Sequence, residues 1–280
     1  MPDVPTVDPT VVDELWETGI VRLRGVFSDD DAARMRDAVW RDLFHTHGVV
    51  RKDPSTWQRR TKGAKLARAK RDPSFEAMLG PQLRALADEL LRSPSRMSGG
   101  YGVLLASFPD ARRWHLPGRD GFWHSDCGDL RTVDGLPWLQ FFALFGDVDP
   151  GGGGTLLVSG SHRLLAAYLA EHPEQIDQQQ WRPASQRSIP WLAALTQSVA
   201  GVDAEGDEAR RRRFMDDRTD VDGAPVRVVE ACGRPGDVFV CHPLTIHCRP
   251  PNASDRPRFL RSTQLLPGGP SAAAGASADA

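Results

Sequence analysis

The sequence predicts a mainly β fold, a β-sandwich or jelly roll carrying an N-terminal helical flank and one helical insertion. Three observations predict it. Short apolar, strand-like runs recur at 101–108, 139–148, 155–158, 226–230, 238–241 and 259–266. Glycine- and proline-rich turns separate them, most plainly Asp149-Pro150-Gly151-Gly152-Gly153-Gly154 and Pro235-Gly236-Asp237. Helical periodicity is confined to the first ninety residues and to a stretch of about 164–220. Repeated strand–helix–strand units are absent, which argues against a doubly wound parallel sheet.

In chain order, residues 1–10 are rich in Pro and Asp and are expected to fray. Residues 11–18 read as a short helix stopped by Gly19. Residues 20–27 alternate apolar and charged side chains and predict a strand. Ser28 followed by Asp29, Asp30 and Asp31 supplies an N-cap and an acidic first turn for a helix over 32–45. Residues 48–72 are basic and irregular around Trp57, either a surface loop or a loop over a cleft. Helical spacing returns at 74–79 and 81–91. The strand at 101–108 leads through a loop bearing Arg112, Arg113, Trp114, His115 and Arg119.

The run at 139–148 ends in the Gly151–Gly154 turn, which looks hairpin-like, and the strand at 155–158 closes in a tight turn at Ser159-Gly160-Ser161-His162. The insertion that follows is interrupted at Pro173, Pro183 and Pro190. After the last strand, residues 267–280 are rich in Gly, Ser and Ala and read as a disordered tail. The expected organisation is one domain over 1–266 with that tail.

With 280 residues, 40% of them hydrophobic, the chain can bury a sizeable core. A net charge of −2 argues against a nucleic-acid partner. Arg210–Arg213 is flanked by acidic residues and reads as a solvated helix face. The four cysteines, Cys127, Cys232, Cys241 and Cys248, form no C-x-x-C pair, so neither a thiol redox motif nor a zinc site is indicated. With no basic-then-apolar leader and no run of eighteen apolar residues, the expectation is a cytoplasmic protein with no membrane partner.

The chemistry is carried by Trp123-His124-Ser125-Asp126. In an extended segment residues i and i+2 share a face, so the His124 imidazole and the Asp126 carboxylate can converge on a point. A second histidine would complete two histidines and one carboxylate on one octahedral face, the signature of a non-haem Fe(II) oxygenase. His247 is the candidate, at the end of the strand 238–241 and its extension. Eleven residues later comes Arg258, with Pro250, Pro251 and Asn252 turning the chain between them, so a hairpin is expected to return Arg258 beside His247. A guanidinium suits bidentate grip on a carboxylate. An enzyme using a 2-oxo diacid needs such a grip for the carboxylate far from the metal.

Together, His124-x-Asp126, the segment Gly154-Thr155-Leu156-Leu157-Val158-Ser159-Gly160-Ser161-His162, and Pro235-Gly236-Asp237-Val238-Phe239-Val240 followed by His247 and Arg258 resemble the phytanoyl-CoA dioxygenase family. The resemblance runs from about residue 12 to 266 and is weak in the insertion. It implies a double-stranded β-helix core, cupin-like, and an Fe(II)/2-oxoglutarate-dependent dioxygenase that consumes O2. Such an enzyme hydroxylates a small-molecule substrate while decarboxylating 2-oxoglutarate to succinate and CO2. It implies His124, Asp126 and His247 as metal ligands and Arg258 as the 2-oxoglutarate anchor.

Phe142 matches a position where the family often places an aromatic near the co-substrate, and Gln140 shares its strand parity; a core aromatic and a capped strand polar are the alternatives. The family often has Ser two residues after the distal histidine, where this chain has Arg249. Relatives that halogenate lack the carboxylate that Asp126 supplies, so halide transfer is disfavoured. The same iron centre serves desaturation, ring closure or epimerisation, and a non-catalytic jelly-roll binding protein is the alternative from another class. His162 reads as structural, His242 as structural or as a residue just outside the metal ligands, and His115 as either a substrate-mouth residue or part of a surface loop.

Overall fold

A computed structural model describes residues 7–57, 66–98, 102–110, 113–128, 136–175, 177–197 and 206–268. The elements in chain order are α1 (Pro9–Thr18), β1 (Ile20–Leu23), α2 (Asp29–His47), α3 (Ala67–Lys70), α4 (Pro81–Leu90), β2 (Ser95–Met97), β3 (Val103–Ser107), β4 (Leu139–Leu144) and β5 (Leu156–Ser159). They continue with α5 (Ser161–Glu171), α6 (Gln178–Ser188), α7 (Pro190–Gln197), α8 (Asp207–Arg211), β6 (Thr219–Val221), β7 (Ala224–Glu230), β8 (Val238–Cys241), β9 (His247–Cys248) and β10 (Arg258–Pro267).

Two antiparallel sheets face each other in a jelly roll. The larger has the order β1-β8-β4-β10-β2, with β3 also pairing β10; the smaller has the order β6-β7-β5-β9. From β4 onward the chain shuttles between the sheets: β4 to β5, β7 to β8, β8 to β9 and β9 to β10 each change sheet.

Strand parity sorts the side chains into three layers. From the larger sheet, Leu139, Phe141, Ala143, Val238, Val240 and Phe259 pack outward on Met35, Val39 and Leu43 of α2 and Leu83 and Leu86 of α4. Their neighbours Phe142, Leu144, Phe239, Cys241 and Leu260 point into the sandwich, where they meet Leu157 of β5. On the far side of the smaller sheet, Leu156, Val158, Val226, Val228 and Cys248 are covered by α5 to α7 through Leu164, Trp181, Trp191 and Leu195. Each such large apolar side chain contributes roughly 1.5–3 kcal/mol by burial.

The N-terminal flank forms for the expected reasons. Ser28 and Asp31 make a reciprocal capping box at the start of α2. Gly19 ends α1 in a left-handed conformation, φ 76°, and a Cβ there would lie 2.5 Å from His162 Nδ1, so only glycine fits.

Several expectations are corrected. The strand at 20–27 stops at Leu23, because Gly25 turns the backbone to φ 62°. The segment 74–79 is a 3-10 turn, Pro73–Met78. The Gly151–Gly154 turn is a crossover between sheets, since β5 pairs with β7 and β9 and not with β4. Ser159–His162 leads straight into α5. Pro183 lies inside α6 without ending it. Strands β2 and β6 were not expected.

Trp57 packs on Trp40 and Phe108 rather than over a cleft. Arg210 is buried, and its guanidinium donates to the carbonyls of Pro117 (3.1 Å) and Ala194 (3.2 Å), with a further bond to Leu195. It is a cross-link, not part of a solvated face. The expected tail begins inside β10, at Pro267, and residues 269–280 lie outside the described ones, as do Tyr101, Arg112, residues 58–65 of the basic segment and 198–205 of the insertion. Among the described residues no helix is long and apolar enough to cross a membrane.

Candidate metal centre

β8 ends at Cys241, and His242-Pro243-Leu244 turns the chain, with Thr245 N–H bonding the His242 carbonyl at 2.9 Å. The chain then re-enters as β9 in the opposite sheet, so His247 does not lie on an extension of β8 as the sequence reading had it. Pairing of Leu157 with His247 puts both residues on the inner face. On its other side His247 forms an antiparallel bridge with His124, closed by His124 N–H to the His247 carbonyl (3.0 Å) and His247 N–H to the His124 carbonyl (2.7 Å). Residues 124 and 247 are therefore cross-strand neighbours, with ring centroids 4.3 Å apart.

Asp126 completes the group. Its carboxylate oxygens lie 3.6 Å from His124 Nε2 and 3.6 Å from His247 Nε2. All three donor atoms fall within 4.8 Å of one another. Among the described residues this is the one cluster of three or more His, Cys, Asp or Glu side chains close enough to share an ion.

The ring orientations are set by the backbone. His124 Nδ1–H donates to the Phe122 carbonyl (3.0 Å), and His247 Nδ1–H to the Thr245 carbonyl (3.1 Å). Each bond fixes the tautomer that leaves an Nε2 lone pair facing Asp126. Burial, with His124 adding to it, pushes His247 down to about 4 against the pull of the Asp126 carboxylate. Its imidazole is therefore neutral near pH 7, the state that binds a metal. Cys248, next in sequence, faces the opposite way, and burial pushes its thiol up to about 12, so it offers no thiolate.

Arg258 opens β10 in the larger sheet and faces across the sandwich. The expected hairpin beside His247 is absent, because β9 and β10 belong to different sheets. Arg258 is 1% exposed. One guanidinium nitrogen donates to Ser107 Oγ at 2.7 Å, while Nε and Nη1 are buried with no hydrogen-bond partner among the described residues. Burial, reinforced by Arg249, lowers the guanidinium to about 9 against the attraction of Glu230. Cationic N–H groups buried without a partner are costly unless an anion or water meets them.

Phe142 shares that inner layer and meets the His247 ring edge-on at 5.2 Å. Gln140 is buried; its Nε2–H donates to Ser262 Oγ at 2.6 Å, and its Oε1 has no partner. Arg249 is exposed. His162 and His242 pack on each other at 5.0 Å. His115 bonds Asp120 at 2.8 Å and lines a cleft of about 1200 Å³ with Trp114, Arg211 and Glu230, a cleft that none of the three clustered side chains lines.

Sequence reasoning missed Ser107 and Ser262, the partners of Arg258 and Gln140. Ser107 sits at the end of an expected strand, opposite Arg258 in the register, so pairing would have found it. The helical insertion was legible in the sequence, but nothing there pointed to the contacts α6 makes with the segment carrying His124 and Asp126.

No family model matches the chain. The ectoine dioxygenase of Bordetella parapertussis is 25% identical over 159 residues, covering 55% of this chain and 49% of that protein; the match thus spans about half the length of that relative. Among solved structures, the non-haem α-ketoglutarate-dependent carbocyclase SnoK of nogalamycin biosynthesis aligns with a TM-score of 0.52 at 17% identity, over 93% of this chain and 84% of that one. HygX from Streptomyces hygroscopicus, with nickel and 2-oxoglutarate bound, aligns with a TM-score of 0.51 at 16% identity, over 95% and 89%. At these identities the likeness is one of fold.

Proposed function

We propose that the chain is an Fe(II)- and 2-oxoglutarate-dependent oxygenase that oxidises a small organic molecule, with hydroxylation as its reaction. The observation that carries this reading is the pairing of two features in one inner layer: a His-Asp-His cluster and a buried guanidinium with two unpartnered nitrogens. A metal alone would account for the first. A ligand with an anionic end would account for the second. The donor set fits the metal, since two neutral imidazoles and a carboxylate suit a divalent first-row ion and leave positions for other ligands.

In this reading His124, Asp126 and His247 hold the iron. When bound, the iron supplies dioxygen activation coupled to decarboxylation of 2-oxoglutarate to succinate and CO2. Arg258, kept in place by Ser107 Oγ, grips the distal carboxylate with its free N–H groups. Phe142 walls the co-substrate space beside His247 and excludes water there. Gln140 presents its unpartnered carbonyl oxygen to a donor on the bound molecules. The relative named an ectoine dioxygenase supports the class, and SnoK, named a carbocyclase, shows that this fold also serves ring closure, the second outcome that a product analysis must separate.

The test is addition of Fe(II) and 2-oxoglutarate to the protein without oxygen, followed by admission of air. A weak visible charge-transfer band, then succinate, is expected. Absence of both would leave a jelly-roll binding protein.

A further inference from the structure

His124 and Asp126 sit on residues 122–128, a segment with almost no regular structure; within it only His124 joins a sheet, through its bridge to His247. Two ligands on irregular backbone need support from outside to stay aimed at one point.

One face of α6 supplies it. Gln186 Nε2–H donates to the Trp123 carbonyl at 2.9 Å, and Gln178 Nε2–H donates to the Ser125 carbonyl. The Trp181 indole N–H donates to the Gly128 carbonyl at 3.2 Å. The Arg182 guanidinium lies over the Phe122 ring at 5.0 Å, and that ring in turn lies 4.4 Å from His124. Positions 178, 181, 182 and 186 recur at helical spacing, so a single helix face makes all four contacts.

The carbonyls chosen matter. Trp123 C=O belongs to the peptide unit that precedes His124, and Ser125 C=O to the unit that precedes Asp126. Each glutamine thus fixes the plane from which a proposed ligand departs. From the other side the Trp123 indole N–H bonds the Pro117 carbonyl at 3.1 Å. The helix itself is anchored at its start, where the Asp177 carboxylate accepts the Gln179 N–H at 2.9 Å.

We propose that α6 is the positioning element of the metal centre, with Gln178 and Gln186 as its positioning residues. This rests on the metal reading above. Helix α6 is then more than a cover for the smaller sheet: it sets the geometry of two of the three ligands through the backbone between them.

The test replaces amide donors with near-isosteric acceptors in Gln178→Glu/Gln186→Glu, with the exposed Gln180→Ala as control on the opposite side of the helix. Metal-free proteins are titrated with Co2+, followed by visible absorption, and amide exchange is measured over residues 123–128. The double variant is expected to lose about tenfold in Co2+ affinity, in line with loss of an outer partner of a ligand. Its exchange over 123–128 should rise at least about threefold while β4 and β10 keep theirs, and the control should match the parent. Unchanged affinity and unchanged protection, with only a lower melting temperature, would overturn the proposal. Should the double variant not fold, Gln186→Glu alone carries the same expectations. If the parent itself takes up no Co2+, the metal reading fails, while the exchange data still decide whether α6 holds the segment.

Discussion

Among the described residues two pairs of histidine rings lie close together, one half-buried and one buried, and they do different things. His124 and His247 have ring centroids 4.3 Å apart; His162 and His242 have theirs 5.0 Å apart. Burial depresses the proton affinity of His247 in one pair and of both rings in the other. The difference lies in what the free nitrogens face. In the first pair both Nδ1–H groups are tied to backbone carbonyls and both Nε2 atoms turn toward Asp126. In the second, His162 Nε2–H is spent on the Trp16 carbonyl (3.0 Å), and His242 Nδ1 accepts the Leu244 N–H (3.1 Å). Two close imidazoles make a core contact; two imidazoles whose lone pairs converge on a carboxylate make a group able to hold a metal ion.

The sharpest break of this comparison is Asp126→Ala. It leaves both imidazoles in place but removes the feature that distinguishes the pairs. Co2+ affinity is expected to fall by more than the roughly 10–100-fold that loss of an outer partner costs, and succinate formation to vanish. His162→Gln, in the other pair, should leave Co2+ affinity within about threefold of the parent. Equal losses in both variants, read by Co2+ titration, would erase the distinction.

How much of this was legible in the sequence follows from the range of the interactions. His124 and Asp126 could be read because their shared face is a local consequence of extended backbone. Arg258 could be read from its spacing to His247, yet the expected route was wrong. The chain crosses to the other sheet between them, and which sheet a strand joins is decided by partners such as Leu157 and Leu144, distant in sequence. Strands β2 and β6, three residues each, are too short to show a period. Arg210 looked solvated because its acceptors, the carbonyls of Pro117 and Ala194, leave no trace in side-chain pattern. The two glutamines of α6 were invisible for the same reason: they grip backbone.

A second, smaller effect concerns the anion proposed to meet Arg258, which has no counterpart at the second pair. Arg258→Gln is expected to raise the 2-oxoglutarate KM by roughly 10–100-fold, the worth of charge-assisted hydrogen bonds, with little change in Co2+ affinity. Arg258→Met sharpens the point. With no co-substrate present it removes a buried, half-satisfied charge, so its melting temperature should equal or exceed the parent's. A large fall in melting temperature would mean that the guanidinium is a structural cross-link to Ser107.

The smallest effect is in the His162/His242 pair and is one of stability alone. Burial, with His162 beside it, lowers His242 from its ordinary 6.5 to about 3. Between those values the unfolded chain binds a proton that the folded one refuses, so stability is full above about pH 6.5 and falls as the pH drops toward 3. The slope is roughly 1.4 kcal/mol per pH unit for one proton. His242→Asn keeps an acceptor for the Leu244 N–H, two residues on, while removing the titration. At pH 7 the variant should be less stable by about 1–2 kcal/mol, from lost packing against Trp16 and His162. Its stability should then decline with a slope about one proton shallower, so that the two curves meet at roughly pH 5–6 and cross below it. Denaturant unfolding between pH 4 and 7.5 measures both. Parallel curves would show that His242 takes up its proton within the folded state, and the second pair would then be a solvated one.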